Sequence, residues 1–325
     1  SLNDEKTIPR SSVDDVYATI ESDLLFAVQY LNPKAAQTGR ATKGAAQALL
    51  GKAYLYQNKF AASAAILDQL IATNTYSLVA NYNALFEHSG ENGPESVFEI
   101  QYTDAQGADF GCLQCSEGNV AVGFNGIRNY NGPFFDGGYS FNVPTQEAYN
   151  SFEAGDNRKN VAILDIEAWA TANSATFGTG YKHTGFYNRK YLARKGDTNI
   201  GDQNLTNPNN YRSIRYADVL LMAAEAHNRS GNDAKAKDYL NLVRRRAFGD
   251  TNHDITATGT ALTDFIWNER RVELMGEGHR FFDLVRTGKA ADKITGFTPN
   301  KNEIFPIPFE EIQFSNGNWQ QNTGY

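Results

Sequence analysis

Thr42-Lys-Gly-Ala-Ala-Gln-Ala-Leu-Leu-Gly-Lys-Ala-Tyr-Leu-Tyr-Gln57 decides the fold class, because it reads as one arm of a helical hairpin. The second arm is Lys59–Thr73. Gly44, Ala45, Ala48 and Ala53 on the first arm face Ala61, Ala64 and Ala65 on the second, so small residues let the helices approach closely while Tyr54, Leu55 and Phe60 fill the flanks. Self-similar helix pairs of this kind are tetratricopeptide-like. A second hairpin is expected at Ile214–His227 and Asp233–Ala247, with Leu220-Leu221 matching Leu49-Leu50, Ala224 matching Ala53, and a turn at Gly231-Asn232. Two hairpins separated by a long insertion do not make a regular solenoid.

Ahead of the first hairpin, Val13, Val16, Tyr17, Ile20, Leu24, Ala27, Val28 and Leu31 form one 3.6-period stripe. Ser12 and Asp15 have capping-box-like spacing, and Asn32-Pro33 closes the helix. Leu262–Arg286 is again helical in period, with Gly276 and Gly278 expected to bend or interrupt it. Pro299, Pro306 and Pro308 force an extended tail. The stretch between the hairpins is different. It is rich in Gly, Asn and aromatics, with one short strand expected where Phe98, Ile100 and Tyr102 alternate with polar residues. Loops this long are usually functional or disordered, and the aromatic content argues against disorder. The fold class is therefore mostly α, with helix hairpins around a loop-rich insertion of few strands. The helical part runs over 1–80, the insertion over 81–210, and the C-terminal helices and tail over 211–325.

Composition narrows the functions. The 325-residue chain is 41% hydrophobic and carries a net charge of −7 with no basic run, so nucleic acid is not an expected partner. No apolar run approaches the roughly 18 residues that span a bilayer. The two cysteines, Cys112 and Cys115, are too few for a structural zinc site and lack the helical setting of a redox pair. They are read either as a local disulfide or as two reduced thiols. No EF-hand calcium loop is present; the sequence names no metal-binding residues and no cofactor, and leaves a bound calcium ion open.

Glu269, Glu273 and Glu277, with His279 nearby, suggest a metal site at first sight. Arg270, Arg271, Arg280 and Arg286 are interleaved with them, and alternating charges of this kind form ion pairs that anchor helices. The reading is therefore structural, as it is for Trp267 within the helix and Trp319 in the tail. A glycosidase needs two carboxylates across a sugar site. Glu91, Asp104, Asp109, Glu117, Asp136 and Asp165 lie in the insertion, but nothing in the sequence selects a pair. The better candidate is a run that interleaves rings with planar polar groups: Phe124, Arg128, Tyr130, Asn131, Phe134, Phe135 and Tyr139, with Trp169, Tyr181 and Tyr187 as a second wall. Sugar rings stack their C–H faces on aromatics, and their hydroxyls need such donors and acceptors.

Asn268-Glu-Arg-Arg-Val-Glu-Leu-Met-Gly-Glu-Gly-His-Arg-Phe-Phe-Asp-Leu-Val-Arg-Thr-Gly288 and the tail Ile304-Phe-Pro-Ile-Pro-Phe-Glu-Glu-Ile312 resemble the C-terminal signature of the SusD/RagB family. The resemblance extends backwards in order through Arg215-Tyr-Ala-Asp218, Gly185–Tyr191, Asp156-Asn-Arg158, Pro144-Thr-Gln-Glu147, Arg40–Ala45 and Arg10–Asp15. It implies non-catalytic binding of a polysaccharide or oligosaccharide on the extracellular face of the outer membrane, and delivery to a SusC-like TonB-dependent transporter. It also implies a signal peptide, a lipid-anchoring cysteine and further helices ahead of this sequence. The membrane is then met only through that anchor. Two other classes remain open: a helical-repeat scaffold that binds only protein, and a glycan-active hydrolase.

Overall fold

The computed structural model describes residues 5–112, 116–180, 182–197 and 200–325. They form two compact units: Leu24–Gly278, and the described residues up to Asp23 together with His279–Tyr325. Helix α1 (Val13–Tyr30) runs through the boundary between these sequence ranges. Its start follows the capping-box reading, since Ser12 Oγ accepts the Asp15 amide at 3.1 Å and donates to the Asp15 carboxylate at 2.7 Å.

In the larger unit, α2 (Lys43–Tyr56) and α3 (Phe60–Ile71) make the first hairpin. Thr42 caps α2 by accepting the Ala45 amide. The close approach expected from small residues is realised at Gly51, where an added Cβ would collide with Leu67. Ser63 Oγ donates to the Gly51 carbonyl across the crossing at 2.8 Å. Strand β1 (Ser96–Ile100) opens the insertion. It continues through short helices α4 (Ala121–Asn125), α5 (Gln146–Tyr149) and α6 (Lys159–Ala162), then β2 (Ile163–Asp165), α7 (Ile166–Asn173) and β3 (Phe186–Asn188). β2 and β3 pair antiparallel, with Leu164 opposite Tyr187.

The second hairpin begins two residues later than its periodicity suggests. Tyr211–Arg215 is a strand, β4, paired antiparallel with β1 from Ser96 opposite Arg215 to Ile100 opposite Tyr211. Ile214 therefore belongs to the sheet, because its backbone is already committed to that ladder. Helices α8 (Tyr216–Arg229) and α9 (Asp233–Phe248) follow, then α10 (Gly259–Glu273). α8 is the hub of the core, packed by α3, α9 and α10, and its residues from Ala217 to Asn228 are all buried.

The helix expected over Leu262–Arg286 is broken after Glu273. Gly276 and Gly278 both take positive φ, +77° and +82°, a region that L side chains avoid. Glu277 thus leaves the helix and turns inward. With Glu269 and Glu273 it enters a buried ion network beneath the insertion. Arg158 pairs with Asp156, Glu269 and Glu273, while Arg215 pairs with Glu95, Glu273 and Glu277. Arg246 joins Glu95 and Glu273, Arg244 joins Glu269, and Lys190 reaches Glu277 at 2.6 Å. The acidic ladder is wholly used in packing, in agreement with its structural reading.

In the smaller unit, α11 (Arg280–Arg286), α12 (Ala290–Lys293) and α13 (Phe309–Phe314) lead to the tail. The tail is tied to the first described segment. Trp319 Nε1 donates to the Ile8 carbonyl at 3.0 Å, and Arg10 donates to Asn322 Oδ1 at 2.6 Å. Cys112 is disulfide-bonded, and the sequence's other cysteine, Cys115, lies outside the described residues.

Candidate functional site

The Gly/Asn-rich run after α4 folds back on itself through contacts that side chains would block. The Gly138 amide donates to the Ile127 carbonyl at 2.9 Å, and a Cβ on Gly138 would overlap Gly126. Beyond this turn the chain is stitched to the segment after β3. The Asp136 amide donates to the Ala193 carbonyl at 3.0 Å, and the Lys195 amide to the Phe134 carbonyl at 2.8 Å. Phe134 is held at φ +68° and is 63% exposed. A bulky residue at positive φ is strained, and strain of this kind collects where a side chain must be presented.

What is presented is an aromatic corner. Trp169, on α7, lies 5.7 Å from Phe134 and 5.0 Å from Phe135 between ring centroids. Its indole N–H donates to Tyr130 Oη at 2.9 Å, and Tyr130 in turn donates to the Pro133 carbonyl at 2.7 Å. The relay fixes the indole plane with its polar edge satisfied, leaving ring surface for contact. Asp165 caps α7 through the Ala168 amide, which fixes the helix that carries Trp169.

Phe134 and Trp169, backed by Phe135, which is only 2% exposed, form one wall of a cleft of about 480 Å³, within the range of small-molecule sites. The opposite rim is polar: Asn83, Glu87, Arg189, Arg194 and Lys195. Arg194 pairs with Glu87 at 3.1 Å and lies 5.3 Å from the Phe135 ring centroid. Arg189 keeps its Nε buried without a hydrogen-bond partner. Burial, reinforced by the neighbouring Arg194 charge, lowers its pKa. The corner thus offers flat apolar surface facing donors, with one guanidinium N–H still unmatched.

The other sequence candidates go elsewhere. Phe124 and Tyr139 form a second ring cluster with Phe141, with centroids 5.7 to 6.2 Å apart, and Phe141 is 67% exposed. Arg128 braces that cluster by donating to the Tyr139 carbonyl at 2.6 Å. Asn131 exchanges backbone hydrogen bonds with Thr176, and its exposed side chain does not line the cleft. Tyr187 is a correction to its expected role. It is fully buried beside Ile127 and Leu164, with its hydroxyl 3.0 Å from Ser140 Oγ, so no ligand reaches it. Tyr181 lies outside the described residues.

Sequence reasoning missed the polar rim. Asn83 lies within the 3-10 turn Tyr82–Phe86 and Glu87 follows it, about 50 residues before Phe134. Arg189 follows β3, in a stretch read only as a strand landmark. The nearest signal was the cation-rich run Arg189-Lys190 and Arg194-Lys195 on either side of an apolar core segment.

The SusD family model matches residues 166–304. Two SusD-like proteins of Formosa agariphila are 27% and 29% identical over 96% and 100% of this chain. The chain spans 64% and 68% of their lengths, about two thirds. Among solved structures, a laminarin-binding SusD-like protein is 39% identical with a TM-score of 0.88, over 97% of this chain and 70% of that one. The surface glycan-binding protein A of Bacteroides thetaiotaomicron, solved with laminarihexaose, is 29% identical with a TM-score of 0.85, over 97% of this chain and 73% of that one. On this similarity, and on the collinear motifs the fold brings together, the chain belongs to the SusD family.

Proposed function

We propose that this protein captures a glycan without cleaving it, at the extracellular face of the bacterial outer membrane, and passes it to a SusC-like TonB-dependent transporter. The observation that carries the reading is the corner of Phe134, Phe135 and Trp169 facing a polar rim. A pyranose stacked on the rings would direct its hydroxyls toward Asn83, Arg189 and Lys195. The names of two structural relatives make laminarin and its oligosaccharides the first ligands to test.

The cleft's chemistry favours binding over hydrolysis. Glu87 is the one carboxylate among its described lining residues, and it is already paired with Arg194. Glycoside hydrolysis uses two carboxylates, one of them a proton donor. Affinity electrophoresis in laminarin-containing gels tests the reading. Retardation is expected, and Trp169→Ala should weaken it at least tenfold, about 1.4 kcal/mol. Free migration in laminarin and in a panel of other polysaccharides would overturn it. Released reducing ends would return the hydrolase reading.

A further inference from the structure

We propose that Tyr130 is a positioning residue for the aromatic corner: its hydroxyl holds Phe134 and Trp169 at a fixed angle without touching the glycan. The inference rests on the corner being the glycan site proposed above. Tyr130 does not line the cleft. Its ring is half-buried against the core cluster that holds Ile127, Leu164 and Tyr187, and meets Phe135 edge-on at 6.3 Å. The hydroxyl accepts the Trp169 indole N–H at 2.9 Å and donates to the Pro133 carbonyl at 2.7 Å. A phenol has one proton to donate, so none is left for a sugar oxygen.

The two partners of that hydroxyl lie on different segments. Pro133 opens a three-residue turn, closed by the Phe135 amide donating to the same Pro133 carbonyl at 2.9 Å, with Phe134 at its centre at φ +68°. A turn of this kind with positive φ is rare and strained, and it persists only where its surroundings enforce it. The Tyr130 proton is part of that enforcement, a second hydrogen bond on the carbonyl that opens the turn. Trp169 sits instead on α7. Just beyond α7, Thr176 exchanges backbone hydrogen bonds with Asn131 at 2.8 and 2.9 Å. Gly132 lets the segments close around the phenol, since an added Cβ there would fall 2.6 Å from Tyr130 Oη and 2.4 Å from Ala175 Cβ. Through one oxygen, the turn that presents Phe134 is joined to the helix that presents Trp169, and the two rings stand 5.7 Å apart at 71°.

Rings already oriented lose less freedom when a ligand arrives. Without the hydroxyl, the glycan would have to order two side chains on binding, an effect of about tenfold in affinity.

Titration with laminarihexaose and the indole N–H signals in heteronuclear NMR of the full chain test this. In the parent chain the Trp169 indole proton is expected downfield and protected from exchange by its bond to Tyr130. Tyr130→Phe keeps the ring and removes the relay. It should move that signal upfield, speed its exchange with solvent and weaken laminarihexaose binding about tenfold. The Trp267 and Trp319 signals and the far-UV circular dichroism should stay unchanged. Gly132→Ala, which crowds the same oxygen, should displace the Trp169 signal as well. An unmoved Trp169 signal in Tyr130→Phe would overturn the proposal, and so would laminarihexaose affinity equal to that of the parent. A parent chain that binds no glycan would overturn the function proposed above instead, and the Trp169 signal would still decide whether Tyr130 holds the corner.

Discussion

Glu273 shows how much of this fold is held by charge. It is fully buried and touches three guanidinium groups, those of Arg158, Arg215 and Arg246. Despite the burial, those charges hold its carboxyl well below the ordinary 4.5. Removing one member of a buried pair strands the partners, at about 3–5 kcal/mol. Glu273→Gln keeps the shape and should cost that much in urea unfolding; a change near zero would mean water reaches the network. Glu277 is lowered in the same way by Arg215 and Lys190. Both carboxylates are depressed in the folded state, so their contribution is complete above about pH 4.5 and is lost as pH falls through the folded values. His88 has the opposite sign. The Asp197 and Glu91 carboxylates, 3.3 and 3.4 Å from its ring nitrogens, raise it from 6.5 to about 10. Its contribution is present below pH 6.5 and is lost as pH rises towards 10. Lys190, lowered by burial from 10.5 to about 8, works against that loss at the alkaline end, because the folded chain sheds its proton first. The difference in unfolding free energy between the parent chain and His88→Gln should therefore shrink steadily from pH 6.5 to 10. A difference independent of pH would rule out a charged His88.

At the scale of the element, the two hairpins look equivalent in sequence and are not equivalent in burial. Leu49 matches Leu220 by position, but Leu49 is 45% exposed while Leu220 is inaccessible. α8 is enclosed by α3, α9 and α10, whereas α2 packs chiefly on α3. Leu220→Ala should destabilise by about 2–5 kcal/mol through the cavity it opens. Leu49→Ala should stay within about 0.5 kcal/mol. Equal effects in denaturant titrations would contradict the packing. Periodicity made these helices legible, together with the cap at Ser12 and the break at Gly276 and Gly278. It could not say which helix lies in the middle, because that depends on contacts between segments far apart in sequence. The stripe on α1 shows the same limit. Its period is correct, yet Val13 is 70% exposed and Val16 and Ile20 are also exposed. A stripe identifies the apolar face but not what covers it. The strand at Tyr211–Arg215 was lost for a related reason, since its partner Ser96–Ile100 lies more than a hundred residues earlier.

At the scale of the whole chain, the candidate site was legible in its aromatic half alone. Phe134, Phe135 and Trp169 were among ten candidates that the sequence did not rank, and Phe135 turns out to be buried behind the other two. Asn83, Glu87, Arg189 and Arg194 are ordinary surface residues until the fold gathers them. The cleft lies wholly within the unit Leu24–Gly278, and this has a thermodynamic consequence. A ligand that binds only the folded state stabilises it by about 2.7 kcal/mol at a hundred times its Kd. That stabilisation should appear in the unfolding of the unit that holds the site, since a chain with two compact units need not unfold in one step. Laminarihexaose at saturating concentration is expected to raise that transition in a calorimetric scan. Trp169→Ala should abolish the shift. Trp319→Ala removes the bond to the Ile8 carbonyl in the other unit, so it should lower that unit's own stability and leave the ligand-induced shift unchanged. A shift that survives Trp169→Ala, or disappears with Trp319→Ala, would move the glycan site away from the aromatic corner.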